Sequence, residues 1–144
     1  MKYFILSILL GVLIISFSSF RDVIEIKKSA PQQKSTPMTR GKVVYTQYCM
    51  PCHQVDGSGV PNLNPPLINT SYVLGSKATL VQILVKGFNK GVEIDGDFYS
   101  NPMPAQALSD QQVSDVLTFV RNSFGNKATA VTVAEVKALK SKLK

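Results

Sequence analysis

The chain is poor in the residues that build metal and disulfide sites. Its 144 residues include two cysteines and one histidine. A structural zinc site wants four such ligands, and this chain cannot supply them. There is no second imidazole to share a metal with the first. No cysteine lies near the end of the apolar run at residues 3–20, which excludes a lipoprotein. No aromatic residues interleave with the lysines of residues 127–144, so a nucleic-acid surface is not expected. The net charge of +7 is unevenly spread. Residues 39–126 balance six basic residues (Arg40, Lys42, Lys77, Lys86, Lys90, Arg121) against six acidic ones (Asp56, Glu93, Asp95, Asp97, Asp110, Asp115). Residues 127–144 carry five Lys against one Glu. That end reads as a solvated basic helical tail, with docking on an acidic protein or an anionic membrane as the alternative.

The scarce residues are concentrated. Both cysteines and the histidine fall within Cys49-Met50-Pro51-Cys52-His53. This C-x-x-C-H pattern is the one that attaches a c-type haem. Two thiols at this spacing share one turn of helix, so both can add to the vinyl groups of one haem. The next residue then carries its imidazole beneath the iron. A dithiol redox motif would want a βαβ context and has no use for the histidine. A partial metal site would employ all three residues but lacks the further Cys or His that zinc wants, and a structural disulfide would leave the histidine unused. The expected cofactor is one covalent haem c, with iron, per chain.

Taken in order, residues 1–18 are an export signal or a membrane anchor. Cleavage after Ser18, with Ser16 at the −3 position, is one reading; an uncleaved span through residues 3–20 is the other. Either sends the chain to the periplasm or the outer face of a bacterial cytoplasmic membrane, where haem of this type is attached. Residues 19–38 read as a Pro-rich, polar linker. The folded domain is placed at 39–126, with Thr39 as N-cap of a helix over 40–50 that carries Val44, Tyr45 and Tyr48 on one side. Gly41 costs such a helix roughly 1 kcal/mol relative to Ala, which suggests that another element approaches it closely. The segment from Gly57 to Asn69 holds too many prolines and glycines for regular structure. A backbone carbonyl in this loop is well placed to accept the His53 Nδ1–H, and Pro66 is assigned to the cofactor site.

Ser76 caps a helix to Lys86 that buries Leu80, Ile83 and Leu84, with Gly87 past its end. Asp95-Gly96 between β-prone runs predicts a short hairpin over 92–99. Ser109 and Gln112 form a capping box for a helix with Val113, Val116, Leu117 and Val120 on one face, closing near Gly125. Thr132 and Glu135 open a last helix holding Val136, Leu139 and Leu143.

An iron bound by one histidine takes a sixth ligand or stays open. The candidates are Met1, Met38, Met50, Met103 or a lysine. Met1 belongs to the N-terminal segment, Met50 lies inside the attachment motif, and Met38 precedes the first helix. Met103 sits between Pro102 and Pro104, which limit its backbone freedom. It is the expected ligand, with a gap-filling core methionine as the alternative.

These pieces together resemble the class I (mitochondrial-type) monohaem cytochromes c, over roughly Thr39 to Asn126. Gly41 to Tyr45 is similar to the family's first-helix glycine and aromatic. Cys49 to His53 is the haem motif, Asn101-Pro-Met-Pro104 resembles the sixth-ligand loop, and Asp115 to Phe119 resembles the terminal helix. The resemblance implies an all-α cytochrome c fold, about four helices around a covalently bound haem, with the hairpin an addition before the Met loop. It also implies that the first and last helices cross at Gly41, next to Phe119. Function is expected to be one-electron transfer between redox proteins, whether dehydrogenase, oxidase, reductase or copper protein, rather than catalysis. An open-haem enzyme or sensor, or a relay subunit of a membrane complex, are the alternatives. A domain of 88 residues buries little surface for its size, so the haem is expected to complete the core.

Overall fold

The computed structural model describes residues 35–143; the apolar run at 3–20 and the linker to residue 34 lie outside them. Helix α1 spans Pro37–Val44, a π-helical turn follows over Tyr45–Cys49, and α2 (Met50–His53) completes the haem motif. A single turn α3 (Ser71–Leu74), helix α4 (Lys77–Lys86), strands β1 (Val92–Ile94) and β2 (Asp97–Tyr99), helix α5 (Asp110–Arg121) and helix α6 (Val133–Ser141) come next. Among the described residues, four helices reach eight residues or more. None is long and apolar enough to cross a membrane.

Local chemistry sets most of these ends. Ser76 caps α4, and reciprocal capping boxes open α5 (Ser109 with Gln112) and α6 (Thr132 with Glu135), each cap contributing about 1 kcal/mol. The antiparallel hairpin pairs Val92 with Tyr99 and Ile94 with Asp97. Asp95 (φ 55°) and Gly96 (φ 93°) form its turn in the left-handed region that two-residue hairpins need. The first helix begins three residues before the expected residue 40. Thr36 rather than Thr39 is the cap, accepting from the Thr39 amide at 3.2 Å, and Pro37 takes the first turn, where no donor is missed. The helix α5 ends at Arg121, short of Gly125.

The core joins Val44 and Tyr45 to Leu80, Val81 and Leu84 of α4 and to Val113, Val116, Leu117 and Val120 of α5. Helix α1 lies across α5, and Gly41 sits at the crossing. Arg40 grips the buried Asp115 there with two hydrogen bonds, Nε to Oδ2 at 2.7 Å and Nη2 to Oδ1 at 2.8 Å. Val81, unremarked in the sequence pattern, is fully buried, whereas Ile83 is half-buried. Tyr48 is 41% exposed and lines the cavity described below. The extra residue of the π turn shifts the side-chain register there, a device common at functional sites.

Residues 127–143 are not a solvated tail. Val131 and Val136 are buried in the same core, and α6 packs on α4 and α5. The Val131 carbonyl accepts from Ser114 Oγ at 2.7 Å and Thr118 Oγ1 at 3.1 Å. Two ion pairs secure the helix, Lys77–Glu135 and Lys140–Asp110, both at 2.8 Å. The lysine count suggested solvent, but two valines and a capping box outweigh it.

Glu135 makes this docking pH-dependent. Its carboxylate accepts from Lys77 Nζ and from the Thr132 amide and hydroxyl, which lower its pKa from 4.5 to about 2. A carboxylate with a depressed folded pKa adds stability above its unfolded pKa and loses it as pH falls through the folded value. The melting temperature of Glu135→Gln should therefore lie below wild type at about pH 6, and the gap should narrow toward about pH 2. A gap independent of pH would show that the ion pair adds nothing.

Candidate functional site

One cavity gathers the residues singled out in the sequence. Cys49, Cys52, His53, Pro66 and Met103 all line it. Leu80, Leu84, Val116, Leu117 and Val120 give it apolar walls from α4 and α5, and Val92 and Ile94 add the hairpin. Cys49 and Cys52 form no disulfide, and one is half-buried and the other exposed.

His53 is 7% exposed. Its Nδ1 lies 2.9 Å from the carbonyl oxygen of Pro65. A carbonyl can only accept, so Nδ1 carries the proton and Nε2 keeps a free lone pair. Burial lowers the His53 pKa, against the opposing pull of Pro65, and so favours the neutral ring that a metal needs. The supporting carbonyl is thus that of Pro65, and Pro66 contributes by lining the cavity.

The chain around His53 is tied down from several sides. The Tyr45 hydroxyl donates to the Gln54 carbonyl, and Gly59 N–H donates to the His53 carbonyl at 3.1 Å. Tyr45, Phe119 and Phe124 form an aromatic cluster with centroids 5.2–5.7 Å apart.

Met103 is half-buried and held by its backbone. Its N–H donates to Phe88 O at 3.0 Å and its carbonyl accepts from Phe88 N–H at 2.8 Å. Gly87 permits this approach: it has φ +69°, and a Cβ there would sit 2.7 Å from the Ala105 amide. The loop is also fastened to the proline segment below His53. Asn101 N–H donates to Leu63 O at 3.0 Å, Asn101 Nδ2 to Asn64 Oδ1 at 3.1 Å and Ser100 N–H to Asn62 O at 2.9 Å. The two prolines are visible in the sequence, but nothing in its pattern signals these bonds.

The donor set tests the cofactor. Two thiols on one helical turn, an imidazole with a free Nε2 and a thioether share one largely apolar cavity. That suits a flat, largely apolar macrocycle whose iron would take its remaining ligands from the protein. A bare ion fits less well, because among the described residues no group of three His, Cys, Asp or Glu could hold one.

The cytochrome c family model matches residues 38–124. The chain belongs to the cytochrome c family. It is 35% identical over 112 residues to the cytochrome c subunit of the quinone alcohol dehydrogenase of Gluconacetobacter polyoxogenes, covering 74% of this chain and 23% of that protein. It is 30% identical over 112 residues to cytochrome c-552 of Thermus thermophilus, covering 71% of this chain and 85% of that one. Against the gluconate 2-dehydrogenase cytochrome c subunit of Pantoea cypripedii it is 35% identical over 104 residues, 69% and 24% of the two chains. The chain thus spans about a quarter of the length of the dehydrogenase subunits. As a cytochrome c, it binds haem c and works in electron transfer. The family match stops at residue 124, yet the cytochrome core continues through Val131 and Val136.

Proposed function

We propose that this chain is a one-electron carrier in which Cys49 and Cys52 hold a single haem c covalently, His53 binds its iron through Nε2 and Met103 binds it through sulfur. The observation that carries this reading is the His53–Pro65 hydrogen bond, which frees Nε2 within the cavity that Met103 and both thiols line. When bound, haem c supplies one-electron cycling between Fe(III) and Fe(II). Met103 offers a soft thioether, which favours the reduced iron and raises the potential. Bound to the iron, the Met103 sulfur would also keep out oxygen and peroxide, so the protein would pass electrons on instead of catalysing. The apolar walls from α4, α5 and the hairpin exclude water, which adds to the same preference.

The partners are redox proteins. Similarity to dehydrogenase cytochrome subunits favours a dehydrogenase as electron donor, with an oxidase, reductase or copper protein as acceptor. The location is the periplasm or the outer face of a bacterial cytoplasmic membrane, with the apolar run at 3–20 as export signal or anchor. The same similarity supports a second reading, a haem relay within a larger membrane complex. Copurification of the native protein with a dehydrogenase through successive columns would favour the relay.

Acid–acetone extraction tests the attachment. The colour should stay with the protein. Colour passing into the solvent would refute covalent binding by Cys49 and Cys52, and with it the carrier built on them.

A further inference from the structure

Asn126 does not line the cavity, yet it is 3% exposed and both polar atoms of its side-chain amide are hydrogen-bonded. Its Oδ1 accepts from the Asn69 amide at 2.7 Å. Its Nδ2 donates to the Leu67 carbonyl and to the Val120 carbonyl, each at 2.7 Å. One side chain thus joins the end of α5 to the proline loop that supports His53. We infer that Asn126 is a positioning residue for the proximal iron ligand: it holds the Pro65 carbonyl against His53 Nδ1–H and so helps set the reduction potential. The inference rests on the proposed reading that His53 binds the iron.

The loop needs such an anchor because of its composition. Pro65 and Pro66 have no N–H, so this limb cannot secure itself with its own amides. The first amide available is that of Leu67, which donates to Gly57 O at 2.7 Å. The next attachment is the Leu67 carbonyl, and it goes to Asn126. Pro66 fixes its own φ, so displacement at Leu67 is passed to Pro65 with little slack. Asn69 has φ +51°, sparsely populated for a non-glycine residue, and its amide is tied to Asn126 as well. The Val120 carbonyl lies in the last turn of α5, where helix carbonyls lack intrahelical partners. Removing the Asn126 amide would strand two carbonyls and one N–H together.

The chemistry gives the direction. A firm Nδ1–H···O bond makes the imidazole more electron-rich and favours Fe(III). Slackening that bond should favour Fe(II). Asn126→Ala holoprotein should therefore show a higher reduction potential than wild type, and its His53 Nδ1 proton should exchange faster by NMR of the reduced protein. A purely structural residue would lower the melting temperature and move neither. Val136→Ala is the control, a fully buried α6 residue that does not line the cavity; it should melt earlier at wild-type potential and wild-type exchange. If Asn126→Ala gives too little holoprotein, Asn126→Ser, too short to reach all three partners, takes the same two measurements. An unmoved or lowered potential with unchanged exchange overturns the inference. The absorption spectrum separates two ways of failing. A wild-type haem that is extractable or lacks a low-spin spectrum sinks the ligand reading itself, whereas a low-spin covalent haem with an unmoved potential in the variant sinks only the role of Asn126.

Discussion

Gly41→Ala should destabilise the holoprotein by about 1–3 kcal/mol, and Gly41→Val by at least as much. Helix propensity alone points the other way, since alanine improves a helix interior by up to about 1 kcal/mol over glycine. Packing decides the sign. A Cβ at position 41 would run into the Asp115 carbonyl oxygen and lie 2.6 Å from Phe119 Cβ. Neither is the movable end of a flexible side chain, so α1 and α5 must move apart. Separation would also stretch the two hydrogen bonds from Arg40 to the buried Asp115 and loosen the Tyr45–Phe119 contact at 5.4 Å. Thermal or denaturant unfolding of the holoprotein measures the loss. A Gly41→Ala variant as stable as wild type would show that the helices do not depend on this close crossing.

How much of this fold is legible in the sequence depends on whether the signal is local. The caps at Ser76, Ser109 and Thr132 and the Asp95-Gly96 turn each act within a few residues, and the structure has all of them; the equally local Cys49–His53 motif lines one cavity with Met103. The close approach at Gly41 is legible because a glycine inside a helix asks for a reason. Thr36 and Thr39 are confusable because both are threonines able to cap, and Pro37 decides between them. The π turn at Tyr45–Cys49 leaves no mark in the pattern, so the side-chain register it sets cannot be read from the helical period. Least legible are buried polar groups that serve distant backbone. Arg121 is 3% exposed and donates to the carbonyls of Val73, Gly75 and Thr129. Asn126 reaches back 59 residues to Leu67. Such residues look like surface polar groups until the chain is folded. Which carbonyl of the loop supports His53 is illegible for a similar reason: two adjacent prolines offer similar carbonyls, and only the bend of the loop selects Pro65.

Met103→Ala should open the iron and change what the protein can do. The described residues offer no second imidazole and only three methionines, at 38, 50 and 103. Met50 is within the attachment motif, also half-buried against the core, and Met38 lies in the first turn of α1. Of the three, Met103 alone lines the cavity with His53. A thioether is a weak ligand, and its bond persists only if little conformational entropy is lost in forming it. Pro102 and Pro104 limit that entropy, and the paired hydrogen bonds to Phe88 and the ties from Ser100 and Asn101 to the proline loop limit it further. Those restraints are all backbone or neighbouring side chains, so alanine leaves the loop in place and removes only the sulfur. The potential should fall by about 0.1 V or more, a fraction of the roughly 0.8 V that axial ligation spans. The reduced variant should bind carbon monoxide readily, and the oxidised one cyanide, while wild type resists both at neutral pH. Rapid-mixing spectra of wild type and variant read these outcomes directly. Wild-type protein that takes up carbon monoxide as fast as Met103→Ala would mean that the sixth position was open from the start. Met103 would then be a core side chain, and an open-haem enzyme or sensor would replace the electron carrier.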